Sequence, residues 1–284
     1  MNLLSFLEQL AAADAAASPT ARRGALTQLA HTAAAALPAA LLGVLTAQPA
    51  GAQTTAGTAL DGLLLLLRVE QLQDEFYGRV PAGLVPAALQ PDFTLIRAQQ
   101  RQHIALLESY VRASGGIVAA RPNYDFTGGR NGARAQVFPD VFTSTDTMLL
   151  VAQVLEDLSV RTYAYGVPLL INNNDQIDSV SRMFAVEGRH AAHLRQLRRQ
   201  RGASVKSWIS GTEAAALPTT AENVYAGEDR VLQQVAGLVS RDTSTLLPTT
   251  GGITAAEITA AATEAFDEPL SFAAASAIIQ VFTY

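Results

Sequence analysis

The chain has 284 residues, of which 49% are hydrophobic, and carries a formal net charge of −5 at pH 7. A mildly acidic chain offers no basic surface for nucleic acid, so nucleic-acid binding is not expected, and the low aromatic content of 6% in an alanine-rich chain favours helices over sheets. Cysteine is absent, which excludes disulfides, zinc–thiolate sites and iron–sulfur clusters, so any metal must be bound by oxygen and imidazole ligands.

The first 52 residues have the features of a bacterial export signal of the twin-arginine type. The pair Arg22-Arg23 precedes a moderately apolar stretch from Thr32 to Ala47, and small residues follow it up to Ala52. This order is typical of such signals, so we expect cleavage after Ala52 and a periplasmic or cell-envelope location. The alternatives are an amphipathic helix within the fold and an uncleaved anchor. No stable membrane span is expected in the mature chain, because no later apolar run is long enough.

Four helices of a bundle are predicted within residues 53–205. They cover roughly residues 57–78, 92–114, 143–168 and 174–201. Asp92 is the predicted N-cap of the second helix, and Ser144 or Thr145 that of the third. A segment rich in Gly, Pro and Asn joins these two helices. A long connection at this place is typical of four-helix bundles in which the second and third helices run parallel.

Residues 206–284 are predicted to form a helical extension packed on the bundle, because they are too hydrophobic for a solvated tail. We expect a helix near Gly227 to Ser240 and helical runs from Ala255 to Phe266 and from Pro269 to Phe282. The arginine cluster from Arg195 to Arg201 is interpreted as a solvated end of the fourth helix, where positive charge favours the helix dipole.

Two of the four predicted bundle helices repeat a motif in which a carboxylate, or its amide, precedes a histidine by three residues. The motif is Gln100 with His103 in the second helix and Glu187 with His190 in the fourth. At this spacing both side chains project from the same helical face. Each helix therefore offers two ligands to one metal centre.

The other two bundle helices repeat a second pattern. Glu70 precedes Tyr77 in the first helix, and Glu156 precedes Tyr163 at the same spacing in the third. Both glutamates lie within apolar stripes that should face the core. A charged side chain in such a stripe is costly unless it is paired or bound to metal. The tyrosines are interpreted as hydrogen-bond partners of the site or as core residues.

With these motifs the chain resembles the ferritin-like domain proteins related to plant desiccation-associated proteins, many of which are exported in bacteria. The resemblance rests on Glu70–Tyr77, Gln100–His103, Glu156–Tyr163, Glu187–His190, Val224–Glu228 and Glu264–Pro269. It implies an all-α fold, namely a ferritin-like four-helix bundle with a long crossover between helices 2 and 3 and a helical C-terminal extension.

The resemblance also implies a di-metal centre. Its ligands would be Glu70 and Glu156 as caps of one metal each, His103 and His190 as imidazole ligands, Glu187 as a bridge, and Gln100 in the second bridging position. Gln100 departs from the family pattern, because a glutamine oxygen bridges two ions poorly and brings no charge. We therefore expect an asymmetric pair, a single occupied site or weaker loading. Oxygen and imidazole ligands suit iron or manganese.

Two functions are compatible with these patterns. The first is an exported protein that handles iron or manganese in stress protection, through oxidation at a weakened di-metal site. The second is a non-catalytic structural or interaction protein, in which the same side chains form a polar core network. Iron storage in a hollow shell is less favoured, because the C-terminal extension would have to fit that assembly. Formation of a homo-oligomer is left open.

Overall fold

A computed structural model describes residues 57–211, 223–235, 239–246 and 254–284. The export signal predicted for residues 1–52 lies outside these residues and stays a prediction, as does a domain boundary at residue 205. Within the described residues the helices are α1 (Ala59–Arg79), α2 (Gln90–Ala113), α3 (Thr145–Gly166), α4 (Asn174–Gln200), α5 (Ala255–Ala265) and α6 (Phe272–Ile279). The first four form the predicted bundle, in which α1 packs against α2 and α3, and α3 packs against α4.

Local capping explains where three of the bundle helices begin. Thr58 and Asp61 form a capping box at the start of α1, in which the Asp61 carboxylate accepts from the Thr58 N–H at 2.8 Å. Ser144 caps α3, as predicted, and Asn173 caps α4 through its side-chain oxygen. These caps satisfy N–H groups that the first helical turn leaves without an intrahelical partner.

The N-cap predicted for α2 is wrong. The helix begins at Gln90, directly after a short 3-10 turn, and its N-cap position is Leu89. Pro91 lies in the first turn, where its missing N–H costs no hydrogen bond. Asp92 therefore lies inside the helix, where its carboxylate is 3.0 Å from His193 Nε2 of α4.

The crossover between α2 and α3 is tied to the C-terminus. Asp125 N–H donates to the Phe282 carbonyl at 2.8 Å, and Tyr284 N–H donates to the Asn123 carbonyl at 3.1 Å. The ring of Phe282 also packs against Phe126, with 6.0 Å between centroids. The C-terminal extension therefore contacts the crossover directly. The crossover contains no helix.

Part of the extension differs from the prediction. The helix expected near Gly227 to Ser240 is wrong, because this part contains two antiparallel strands, β1 (Leu232–Val235) and β2 (Val239–Asp242). The β-branched valines in this segment favour extended backbone, and a glycine lies in sequence between the strands. The two later helical runs are confirmed by α5 and α6.

The extension covers α3, which explains the burial of that helix. Every residue from Val151 to Tyr163 is buried, so α3 has no solvent-facing stripe. Arg161 lies on its outer side and donates to the carbonyls of Ala226 at 2.8 Å and Glu268 at 2.7 Å. Among the described residues, no helix combines the length and the apolar character that crossing a bilayer requires.

Arg195 does not lie in the solvated helix end that was predicted for it. It is 1% exposed and forms a bidentate pair with Asp157 of α3, with Nε–Oδ1 and Nη2–Oδ2 distances of 3.0 and 2.6 Å. The Tyr225 hydroxyl donates to the same carboxylate at 2.6 Å. This pair joins α3, α4 and the extension, so Arg195 is part of the core.

Candidate metal centre

The six predicted ligand positions converge in the middle of the bundle. Each of the four helices contributes at least one of them, and all are buried. The residues are Glu70 from α1, Gln100 and His103 from α2, Glu156 from α3, and Glu187 and His190 from α4. The motifs that are far apart in sequence therefore face one another across the core.

Two groups of three ligands share Glu187. One consists of Glu70, His103 and Glu187, the other of Glu156, Glu187 and His190, and in each group the ligand atoms lie within 4.8 Å of one another. Among the described residues, no other group of three or more carboxylates and histidines lies close enough together to hold a metal ion. One carboxylate common to two adjacent groups is what a pair of metal ions with a bridging glutamate requires.

The two outer glutamates are held in the same way. Tyr163 donates its hydroxyl proton to Glu70 Oε1, and Tyr77 donates to Glu156 Oε1, both at 2.5 Å. Such short bonds to carboxylates are strong and directional. Each tyrosine therefore fixes the orientation of one glutamate, in agreement with the interpretation of these residues as hydrogen-bond partners.

Two amide side chains lie among the carboxylates. Gln73 Nε2 is 2.8 Å from Glu156 Oε2 and 3.2 Å from Glu187 Oε2. The Gln100 amide is best satisfied with its nitrogen 3.2 Å from both Glu70 Oε2 and Glu187 Oε1 and its oxygen accepting from Gln73 at 3.2 Å. The opposite orientation also donates to Glu187, at 3.3 Å. In either case Gln100 donates a hydrogen bond at the position where the resemblance implies an anionic bridging ligand.

His190 carries the clearest sign that the site fits a cation. Its Nε2 lies 2.7 Å from the Gln99 amide oxygen, which can only accept and therefore fixes a proton on Nε2. Its Nδ1 is buried without a hydrogen-bond partner, 3.5 Å from Glu156 Oε2 and 3.6 Å from Glu187 Oε1. In the neutral imidazole this atom has a free lone pair beside two carboxylates, an arrangement that a bound metal ion satisfies.

Sequence reasoning did not identify Gln73 or Gln99 as parts of the site. Gln73 could have been found, because it follows Glu70 by three residues and so shares its helical face. Gln99 has no such signal, since its partner His190 belongs to another helix. His193 follows His190 by roughly one helical turn, but its partner is Asp92, which is not one of the six ligand positions.

The electrostatics of the metal-free site favour bound protons. Burial, and then repulsion by Glu187, raises the pKa of Glu70 to about 7 and that of Glu156 to about 8. Burial alone would lower the pKa of both histidines, but the adjacent carboxylates outweigh it and raise the pKa to about 9 for His103 and about 10 for His190. Burial opposes ionisation of Glu187, yet its bonds to the histidines lower its pKa. Protons thus supply the positive charge of the metal-free centre.

Comparison with known proteins agrees with the fold. A family model described as a ferritin-like domain matches residues 58–200, the span from the N-cap of α1 to the last residue of α4. A search of curated proteins finds no significant match to this chain. The matched span is 143 of 284 residues, just over half. The chain therefore belongs to the ferritin-like domain family.

Proposed function

We propose that this protein binds iron or manganese at the buried centre and handles these metals in stress protection outside the cytoplasm. The observation that carries the proposal is the pair of ligand groups that share Glu187, together with the Nδ1 of His190, which is buried beside two carboxylates without a hydrogen bond. Export is supported by the sequence of residues 1–52. The likeness to desiccation-related members supports the stress role.

Each residue of the centre has a distinct part in this function. Bound iron or manganese would supply the redox electrons, and the protein would supply ligands and orientation. Glu187 would be common to both positions, while Tyr77 and Tyr163 hold the outer glutamates in place. Gln99 keeps the His190 ring turned with Nδ1 towards the carboxylates. The buried surroundings of the centre exclude bulk water and so limit unwanted side reactions.

Gln100 makes the two positions unequal. Three carboxylates offset less of the charge of two divalent ions than four would, and Gln100 directs an N–H at Glu187. The second ion is therefore bound more weakly than the first. We propose a centre that loads one metal readily and a second only at high metal concentration.

Metal content and iron oxidation test this function. The mature protein, exported by a bacterial host and purified without chelator or affinity metal, is expected to carry close to one iron or manganese per chain and to oxidise Fe(II) in air. Glu187→Ala is expected to lose both properties, because it removes the ligand common to both groups. Glu108→Ala, which removes a surface carboxylate of α2, is the matched control. Metal content and oxidation no higher in the unmodified protein than in Glu187→Ala would refute the proposal.

A second function, a structural scaffold without metal, is favoured by one observation. Gln73 and Gln100 donate hydrogen bonds to the carboxylates, so the network is almost satisfied without any ion. The two functions predict different responses of the melting temperature to added metal. A metal present at a hundredfold excess over its dissociation constant should stabilise the native state by about 2.7 kcal/mol, whereas the melting temperature of a pure scaffold does not respond to metal or chelator.

Metal affinity is expected to rise with pH. Below about pH 8 the metal-free centre holds protons on His103, His190 and Glu156, and an ion must displace them. The apparent affinity for Mn(II) should therefore increase between pH 6 and pH 8, by roughly tenfold per pH unit for each proton released. Calorimetric titration in buffers of different ionisation enthalpy counts those protons. An affinity that does not change over this range would contradict binding at these residues.

A further inference from the structure

A pocket of about 390 Å³ lies beside the metal centre, between the end of α1, the following loop and the first half of α2. Its volume falls in the range of small-molecule sites. Its walls include Tyr77, Val85, Phe93, Arg97 and Arg101. Tyr77 also donates to Glu156, so a molecule in this pocket would be one side chain away from the centre.

The pocket combines apolar walls with positive charge. Its residues include Phe93 and several aliphatic side chains, two arginines and no carboxylate. Asp74, outside the pocket, lies 3.3 Å from Arg97 but is shared with Arg121 at 2.7 Å. Arg101 is exposed and has no acidic partner among the described residues. Positive charge at the pocket therefore exceeds the negative charge that is close enough to offset it.

Gly78 leaves room for the guanidinium of Arg97. A Cβ atom at Gly78 would lie 2.5 Å from Arg97 Nη2 and 2.9 Å from its Cζ, so the guanidinium rests directly on the backbone of α1. Any larger residue would displace it. The absence of a side chain at position 78 thus allows the planar group of Arg97 to lie at the wall of the pocket.

We propose that this pocket binds a small organic carboxylate. Its carboxylate group pairs with Arg97 and Arg101, because a guanidinium matches a carboxylate in geometry as well as in charge. Its apolar part packs on Phe93 and Val85, next to Tyr77. An inorganic anion would leave these walls uncovered, and a neutral molecule would leave Arg101 without an acidic partner.

Benzoate is a suitable probe, with two matched ligands. Benzyl alcohol has the same apolar part without the charge, and inorganic phosphate has charge without the apolar part. Calorimetric titration of the metal-free protein is expected to give at least tenfold tighter binding for benzoate than for either. Equal affinity for benzyl alcohol would show that the pocket is only an apolar cavity. Equal affinity for phosphate would show that it is a general anion site. Both results would overturn the proposal.

Variants locate the binding on the protein. Arg101→Gln is expected to weaken benzoate binding by about tenfold, the effect of losing one charged hydrogen-bonded pair. Arg112→Gln, a surface arginine of the same helix that pairs with Glu108, should leave it unchanged. Gly78→Ala keeps both pocket arginines and should also weaken binding, because it displaces Arg97. Benzoate binding that is the same in all three variants would place the ligand elsewhere.

Discussion

Replacing Gln100 with glutamate is expected to raise the metal content of the purified protein and to tighten metal binding by on the order of tenfold or more. The change removes an N–H donor that is directed at Glu187 and puts a carboxylate at the second bridging position. Four carboxylates then offset the charge of two divalent ions. The second metal position, which we propose is the weak one in the natural chain, should gain most.

The same variant is expected to be less stable than the natural protein when no metal is present. A fourth carboxylate would be buried beside Glu70, Glu156 and Glu187, and an unpaired buried charge is costly. Adding Mn(II) should reverse the order of the two melting temperatures. This reversal separates a ligand effect from a general effect on folding, because a mere packing defect would lower the melting temperature with and without metal.

Gln102→Glu is the matched control. Position 102 is on the same helix, two residues further along, and its side chain is exposed. The Gln102→Glu substitution adds the same charge to α2 without placing that charge in the centre, so metal content and metal affinity should not change. If Gln100→Glu carries no more metal and binds it no more tightly than the natural chain and Gln102→Glu, Gln100 does not weaken the second position as proposed.

The bundle and the convergence of the candidate ligands could be predicted from the sequence because both depend on short-range spacing. Glutamate or glutamine three residues before histidine, and glutamate at a fixed distance from tyrosine, each place two side chains on one helical face. Burial then follows from the apolar residues around them. Each motif occurs in two of the four helices, which allowed residues from distant segments, such as Glu70 and Glu187, to be assigned to one candidate site.

Other features depend on contacts that local spacing does not encode. Arg195 belongs to an arginine-rich helix end and has the composition of a solvated residue, but the carboxylate that buries it is on α3. The proton on His190 Nε2 is likewise fixed by Gln99, a residue of α2. The strands β1 and β2 were missed because a short segment of mixed valine, glutamine and alanine has no clear periodicity, so a helix and a hairpin are hard to tell apart.

Removing Arg161 is expected to reduce the free energy of unfolding by about 3–5 kcal/mol, the usual cost of breaking a buried ion pair on one side. Arg161 and Glu228 are both fully buried, with 2.6 Å between Arg161 Nε and Glu228 Oε1. Arg161 also satisfies the backbone carbonyls of Ala226 and Glu268. Arg161→Leu would leave these acceptors without a donor and Glu228 without its counter-ion.

Urea denaturation of Arg161→Leu, Arg182→Leu and the double variant Arg161→Leu with Glu228→Gln tests this role. Arg182 forms an exposed pair with Asp178, so its loss should change stability by no more than about 0.5 kcal/mol.

The double variant should recover part of the loss, because it no longer buries an unpaired acid. Burial raises the pKa of Glu228 and Arg161 lowers it, so in Arg161→Leu the acid would have to take up a proton at a cost in free energy that glutamine avoids. A loss below about 1 kcal/mol in Arg161→Leu would mean that the ion pair does not hold the extension on α3. Since α3 carries Glu156 on its inner side and Arg161 on its outer side, the result also decides whether the extension supports the helix that presents this ligand.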